Sequence, residues 1–527
     1  MSLVIGLKNK IFRKLYNVFF LSKKEEELYN YYNKTINDNS NSKNIVLIQC
    51  VENYFYFAVF GEVIKSFNKD NSIRVEQYIP RNLTLGATSN FGSFLKSILL
   101  NNSIRDKKWI KLYSSYADSV AYSHENSTSF LHNIKYFVKA YKIFANLKDK
   151  HDLLSLIINE VKVGDLIYDS YLRFKPASTV DIRDLYLIIV IWQCIRNIEM
   201  TNKYFVQNKP KVLLTSYSSY IQHGIAVRIA MKFDTKVYSF GNNQSIAKEL
   251  TINDIYHTAN FNSYKNNFEL FSREDKEIYL EESKTALDNR IKGMKDISTS
   301  YMKESAYKIS DDIKIPNVKN HIVIFLHDFF DSPHIYGDMV FPDFLEWIEF
   351  TINLLEKENI PYSLKPHPNQ IGDSEKVIKM LKVEYPKANF ISSKITNKQL
   401  VNAGMCTGIS VYGTVAYELV YMNIPVILCG ENPHSSYNFV YEAKNEKEYV
   451  SYIKNHRNLK LNKKSKEEVL SFYYMHNLNK SRSEIRSLDY ISSFRNYSNE
   501  NRLDFNEYKS FLGNFEKNKT FTNIIKV

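Results

Sequence analysis

Leu364-Lys365-Pro366-His367-Pro368-Asn369 and, about forty residues on, Gly408-Ile409-Ser410-Val411-Tyr412-Gly413-Thr414-Val415-Ala416-Tyr417-Glu418 decide how this chain reads. The first stretch ends an extended run in a loop that carries one histidine between two prolines. The second is a small-residue turn that opens a helix, and the strand Pro425-Val426-Ile427-Leu428-Cys429-Gly430 follows it. Two turns at the C-terminal ends of strands face one crevice in a doubly wound sheet, where phosphates are commonly held. The pair therefore predicts a nucleotide-dependent transferase.

Further strands and helices repeat the pattern. Asn44-Ile45-Val46-Leu47-Ile48-Gln49-Cys50 reads as a buried strand, and an apolar helix through Phe60 and Val63 follows it. Lys211-Val212-Leu213-Leu214-Thr215-Ser216, a helix from 224 to 231, and Lys236-Val237-Tyr238-Ser239-Phe240-Gly241 give strand, helix and strand. That order argues for a parallel sheet. A second α/β unit begins at His321-Ile322-Val323-Ile324-Phe325-Leu326, with its helix running through Phe344, Trp347, Ile348 and Leu354. Residues 133–160 and 269–303 read as helical.

The expected division is a basic amphipathic N-terminal segment and linker over 1–43, then a Rossmann-like acceptor-side domain over 44–315. A Rossmann-like nucleotide-sugar-binding domain over 316–455 and a helical tail over 456–527, lying across both domains, complete it. At 527 residues the chain is too long for one ordinary core.

Composition narrows the classes. Hydrophobic residues make up 44% and charged residues 24%, which is ordinary for a globular protein. A formal charge of +13 admits nucleic acid, anionic membrane or phosphorylated substrates. No RNP-like, zinc-finger or helix-turn-helix signature accompanies it, so nucleic acid is not the expected partner. Cys50, Cys194, Cys406 and Cys429 are scattered without ligand spacing, and read as buried thiols in a reducing compartment. Residues 1–24 carry six basic and no acidic side chains among Val4, Ile5, Leu7, Ile11, Phe12, Leu15, Val18 and Phe19. They are expected to form a helix on the anionic inner face of the cytoplasmic membrane, or one docked on its own domain. Either way the protein is expected to be cytoplasmic, and peripheral to that membrane in the first case.

The candidate chemistry sits on loops. Two prolines hold His367 with little entropy left to lose, and its imidazole can donate to a phosphate oxygen. Ser410 and Thr414 offer hydroxyls or helix caps, Gly413 allows close approach, and Glu418 shares a helix face with Thr414. A carboxylate there suits ribose hydroxyls. His327-Asp328-Phe329-Phe330-Asp331-Ser332-Pro333-His334 supplies acids and histidines for general acid–base work. In the first domain, Gly164-Asp165-Leu166-Ile167-Tyr168-Asp169-Ser170-Tyr171-Leu172-Arg173 and the group Tyr217, Tyr220, Gln222, His223, Gly224 and Arg228 suit sugar binding or a domain interface. No DxD triplet occurs, so a metal-bridged diphosphate is not expected.

The LKPHPN and GISVYGTVAYEL…IPVILCG pair resembles the donor-binding half of GT-B-fold bacterial surface-polysaccharide glycosyltransferases. It is similar to capsule Kdo transferases and polysialyltransferases, whose HP and serine-rich motifs hold a cytidine nucleotide. It is similar also to CDP-glycerol glycerophosphotransferases. GDLIYDSYLR and HDFFDSPH are similar to stretches of capsule-biosynthesis enzymes. This chain has a single serine, Ser410, where the sialyltransferase-like pattern often has two.

The resemblance implies a GT-B-like α/β fold of two Rossmann-like domains facing a cleft, with extra terminal helices. It implies metal-independent glycosyl transfer from a nucleotide-activated sugar, a CMP-linked ulosonic acid being the leading choice, to a capsule or lipopolysaccharide glycan or lipid-linked acceptor. No cofactor is expected beyond the donor itself. Lys365, His367, Pro368, Ser410, Gly413 and Thr414 would hold donor phosphate, and Glu418 ribose. Asp328, Asp331, His334, Asp165 and Asp169 would serve catalysis; Arg173, Tyr217, Tyr220, His223 and Arg228 would bind acceptor. A polyol-phosphate transferase, a sugar-nucleotide epimerase and a non-catalytic assembly factor are the alternatives.

Overall fold

The computed structural model describes residues 20–33, 42–68, 73–80, 83, 103–122, 129–242, 245–258, 261, 263–294, 315–367, 374–480, 482–499, 504–517 and 519–521. The chain forms two compact units. One comprises 1–175, 181–257 and 481–527, the other 176–180 and 258–480.

In the first unit, strands β1 (Ile45–Gln49), β2 (Arg74–Tyr78), β3 (Ser119–Tyr122), β6 (Val212–Thr215), β7 (Lys236–Ser239) and β8 (Lys248–Leu250) form one sheet. Its order is β3-β2-β1-β6-β7-β8, all parallel except the last pair. The remaining strands of this unit, β4 (Ile157–Ile158) and β5 (Val161–Lys162), pair as a small hairpin. It lies in the stretch expected to be helical, where the chain instead forms helices Phe130–Asn146 and Lys150–Leu154 and then turns. Asn159 and Glu160 hold the positive φ values that this turn requires.

The first core draws on distant parts of the chain. Val46, Ile48, Phe57, Phe60, Val212 and Leu214 pack with Leu28 and Tyr32 from helix Lys23–Asn33, and with Phe494, Tyr508 and Phe515 from helices Arg482–Asn499 and Phe505–Lys517. The tail after 456 is thus divided. Helix Ser465–Tyr473 belongs to the second unit, and the last two helices belong to the first.

The second unit repeats the plan without an antiparallel edge. Strands β9 (Ile322–Phe325), β10 (Tyr362–Lys365), β11 (Asn389–Phe390), β12 (Thr407–Ile409), β13 (Val426–Leu428) and β14 (Tyr441–Glu442) run in the order β11-β10-β9-β12-β13-β14, all parallel. Strand residues alternate between two buried faces, as a pleat requires. Ile322, Ile324, Leu364, Ile409 and Ile427 face Trp347, Ile348 and Ile352 of helix Phe344–Lys357. Val323, Phe325, Val426 and Leu428 face Leu419 and Val420 of helix Val415–Tyr421 and Phe472 of Ser465–Tyr473.

Both sheets have the Rossmann order in which the chain reverses direction across the sheet between its first and fourth strands. The α/β, two-Rossmann expectation is what the structure shows. Each unit has its reversal point at the C-terminal ends of two neighbouring strands: β1 and β6 in one, β9 and β12 in the other. No helix among the described residues is long and apolar enough to cross a membrane. Residues 1–19, the bulk of the expected N-terminal helix, lie outside the described residues.

Candidate functional site

In the second unit, His327 leaves the end of β9 and Ser410 leaves the end of β12. The His327 ring lies flat on Phe344, with centroids 4.7 Å apart and planes 11° apart, and meets Tyr412 edge-on at 4.6 Å. Its Nε2 is 3.2 Å from Ser410 Oγ and accepts the Tyr412 N–H at 3.4 Å. An Nε2 that accepts an N–H is the bare nitrogen, so the neutral ring carries its proton on Nδ1. Burial, with the neighbouring charge of His367, holds the imidazole down at about 3. Ser410 Oγ also reaches the carbonyls of Phe325 at 3.1 Å and Tyr412 at 3.2 Å. The serine thus ties the two strand ends together and does not cap the helix.

The turn stays open above this pair. Gly413 has φ +115°, and a methyl built on it would meet nothing nearer than His327 Cε1 at 3.9 Å. The position calls for glycine because of its backbone, while the space beside it is free for a ligand. Thr414 has helical dihedrals and makes no capping bond. Gly413→Ala is expected to cost about 1–2 kcal/mol from the left-handed backbone alone. Thermal denaturation of the variant checks this; unchanged stability would show that the turn does not need its φ.

Lys365 ends β10 on the face shared with Phe325, with its ammonium 5.9 Å above that ring. It is only 3% exposed. Burial pushes its amine down to about 8, opposed by the charge of Glu418. Two residues on, His367 is half-buried and within electrostatic range of His327. Pro368 lies outside the described residues.

Glu418 points inward. One carboxylate oxygen takes the Arg290 guanidinium at 2.7 and 2.8 Å, and the other accepts from Asn397 Nδ2 at 3.3 Å. Arg290 and Glu418 are both buried. Asp328, also buried, accepts from the Phe330 N–H and from Ser374 Oγ, each at 3.0 Å. Asp331 is exposed and takes the Ser332 N–H at 2.9 Å, whereas His334 is buried. This loop is fastened to the turn, because Tyr412 donates its hydroxyl to the Ser332 carbonyl at 3.1 Å.

The first unit has a counterpart at its own reversal point. Gln49, ending β1, accepts from Thr215 Oγ1 at 2.8 Å and from the Ser216 N–H at 3.3 Å, and its Nε2 lies 2.7 Å from His223 Nδ1. Ser216 Oγ is 3.2 Å from the same nitrogen. Tyr217 stands edge-on to His257 at 4.8 Å and to His223 at 5.7 Å. Burial holds both imidazoles down at about 3.

Nearby, Arg228 grips both oxygens of Asp165, with Nη1 at 2.7 Å, and the carbonyl of Lys162. Burial works against that guanidinium, but Asp165 holds it above its usual range. Asp169 is buried one turn on from Asp165, Tyr220 sits at φ +62°, and Arg173 is exposed. The structure therefore brings Ser410 and Gly413 together with His327, whose ring also feels the charge of His367, and sets Lys365 against Phe325 and the charge of Glu418. It separately groups Tyr217 with His223, and Asp165 with Arg228.

Arg290, Asn397, Gln49, Ser216 and His257 carry no role in the sequence reading, and His327 appears there only among the acid–base candidates of its loop, not as the partner of Ser410. His327 had a usable signal, as the first polar residue after an apolar strand. Arg290 had none, being 128 positions from its partner. Among the described residues, no three His, Cys, Asp or Glu side chains lie together as a metal site would require.

No family model matches the chain, and no curated protein matches it. Among solved structures, it is similar to the Methanocaldococcus jannaschii UDP-GlcNAc 2-epimerase in complex with UDP-GlcNAc and UDP. The identity is 9% and the TM-score 0.25, over 81% of this chain and 97% of that one. It is similar also to the wall teichoic acid polymerase TagF, at 12% identity and TM-score 0.21 over 95% and 97%. A third is Medicago truncatula UGT71G1 complexed with UDP-glucose, at 9% and 0.20 over 86% and 98%. Likeness of this size leaves the fold to be read from the strand order itself.

Proposed function

We propose that this chain is a metal-independent glycosyltransferase that binds a nucleotide-activated sugar at the reversal point of its second unit. The observation that carries the reading is Lys365: a buried lysine at a strand end, its ammonium over the Phe325 ring and its proton affinity lowered by burial. It lies in the unit that also presents His367 and the open Gly413 turn. A buried cation is costly unless an anion meets it. A donor phosphate is the anion such a strand end would hold.

In this reading Lys365 and His367 take phosphate charge, and the Gly413 backbone and Thr414 hydroxyl contact the same group. Ser410 and His327 hold the turn in shape. Glu418 acts on the ribose side by fixing the helix through Arg290 and Asn397. The acceptor oxygen attacks the anomeric carbon, the bond from that carbon to phosphate oxygen breaks, and the nucleotide leaves with the electron pair. Asp331, the exposed carboxylate of its loop, takes the acceptor proton; Asp328 and His334 position that loop. Tyr217, Tyr220, His223, Asp169 and Arg173 are assigned to acceptor recognition, with Asp165 locking Arg228 beside them. The donor is proposed to be a CMP-linked ulosonic acid and the acceptor a surface glycan.

Thermal shift with CMP, CDP, UDP and GDP tests the binding half, since a ligand held only by the folded chain raises its melting temperature by mass action. Stabilisation by CMP, and CMP release from a CMP-sugar only when glycan acceptor is added, is the expected result. Turnover of CDP-glycerol instead would mark a polyol-phosphate transferase. Conversion of a nucleotide sugar without acceptor would mark an epimerase, and no nucleotide response at all would overturn the reading.

A further inference from the structure

Helix Phe130–Asn146 of the first unit shows an apolar face that the described residues leave exposed. It is capped at its start by Ser129, whose hydroxyl accepts the His132 N–H. One side packs inward. Ala140 and Phe144 are buried, and Trp192 donates to the Asn133 carbonyl at 3.3 Å; Phe137, at the border of the two sides, meets the Trp192 ring at 5.6 Å yet stays part-exposed. On the other side Phe130, Leu131, Ile134, Phe137, Val138 and Tyr141 are exposed, the first two at 78% and 76%. At about 100° per residue these six fall in an arc of about 120°. Large exposed apolar faces are uncommon on proteins that work alone in water.

The border of this arc names its partner. Lys135, Lys139 and Lys142 follow it along one edge at helical spacing, and the helix has no acidic residue. Aromatic and branched side chains beside lysines, in a helix of about 25 Å, match the interface of an anionic bilayer, where rings enter the headgroup layer and ammonium groups meet lipid phosphate. An acidic protein groove would also meet the lysines. It would however have to present an apolar trough for Phe130 and Leu131, which the fluid acyl boundary supplies without a fitted shape.

We infer that this helix is a membrane-docking face that seats the first unit on an anionic lipid surface. The inference stands apart from the donor-site reading and uses none of its residues. It is also distinct from any contribution of residues 1–24.

The test is co-sedimentation of the full chain with vesicles of phosphatidylcholine, with and without about one-third phosphatidylglycerol. Phe130→Ser with Leu131→Ser is expected to lower binding to the anionic vesicles at least about tenfold. Lys135→Gln with Lys142→Gln is expected to lower it about fivefold per lysine, with no effect on neutral vesicles. Unchanged melting temperature shows that these exposed positions leave the fold intact. Equal binding by wild-type and substituted chains, or binding indifferent to phosphatidylglycerol, would overturn the inference. So would a wild-type dimer that the Phe130 and Leu131 substitutions dissociate, since a second copy would then cover the face.

Discussion

Lys365→Met is expected to reduce nucleotide affinity about ten- to a hundredfold while leaving the chain as stable as before, or more so. The first half follows from the ammonium's task. A charge-assisted hydrogen bond to phosphate in a buried setting contributes about 1.5–3 kcal/mol, and each 1.4 kcal/mol is about tenfold in affinity. The second half follows from its cost. In the protein without ligand this buried lysine holds its amine above the Phe325 ring, and burial disfavours the charged form. Methionine fills similar volume without a charge to desolvate.

The pH dependence has a definite sign. Burial lowers the folded-state value to about 8, below the ordinary lysine range. Between the two the unfolded chain binds more protons than the folded one. This residue therefore destabilises the fold at neutral pH, and stability from it rises as pH climbs through that window. Nucleotide affinity moves the other way, falling as pH rises past about 8 and the amine loses its charge. Titration calorimetry in buffers of differing ionisation enthalpy should show proton uptake on binding just above that pH. Wild-type affinity in Lys365→Met, or affinity flat across the window, would remove Lys365 from the phosphate site.

The second large effect belongs to Glu418. From sequence alone, a helix-face carboxylate near Thr414 suggests a ribose contact that could be removed without harm to the fold. In the structure both its oxygens are occupied, by Arg290 and by Asn397, inside the second unit. Glu418→Ala would leave the Arg290 guanidinium buried without its counter-charge, at a cost of about 3–5 kcal/mol. Thermal unfolding of the full chain should show the second unit melting lower by on the order of 10 °C. Glu418→Ala with Arg290→Met should recover a large part of that loss, since it removes the stranded charge as well. If Glu418→Ala instead kept the wild-type melting temperature and lost only nucleotide affinity, the carboxylate would be a ligand contact and not a brace.

Much of the fold was legible because strands buried on both faces write themselves as apolar runs. Ile45–Gln49, Val212–Thr215 and Ile322–Phe325 are the central strands of their sheets, and each stood out in the sequence. The strands outside the sheet's centre do not write themselves this way. Arg74–Tyr78 is half polar, with Glu76 held by Tyr204 and Arg74, and Ser119–Tyr122 is exposed at its start. Neither carries a periodic signal.

The candidate site divides in the same way. The His367 and Gly413 turns were visible as local chemistry, proline-braced or glycine-bearing, at the ends of strands. What turned Glu418 inward was a partner on another helix, and what made His327 the hinge of the turn was a ring stack on Phe344. Long-range pairings of that kind leave no mark in local sequence.

The most direct measurement is a crystal structure of the chain soaked with CMP. The expected result is nucleotide density at the reversal point between β9 and β12, with its phosphate within hydrogen-bond distance of Lys365 Nζ and against the Gly413 backbone. Nucleotide seated instead at the Gln49–His223 cluster of the first unit, or a Lys365 amine still without an anion in a crystal that holds the nucleotide elsewhere, would contradict the proposed donor site.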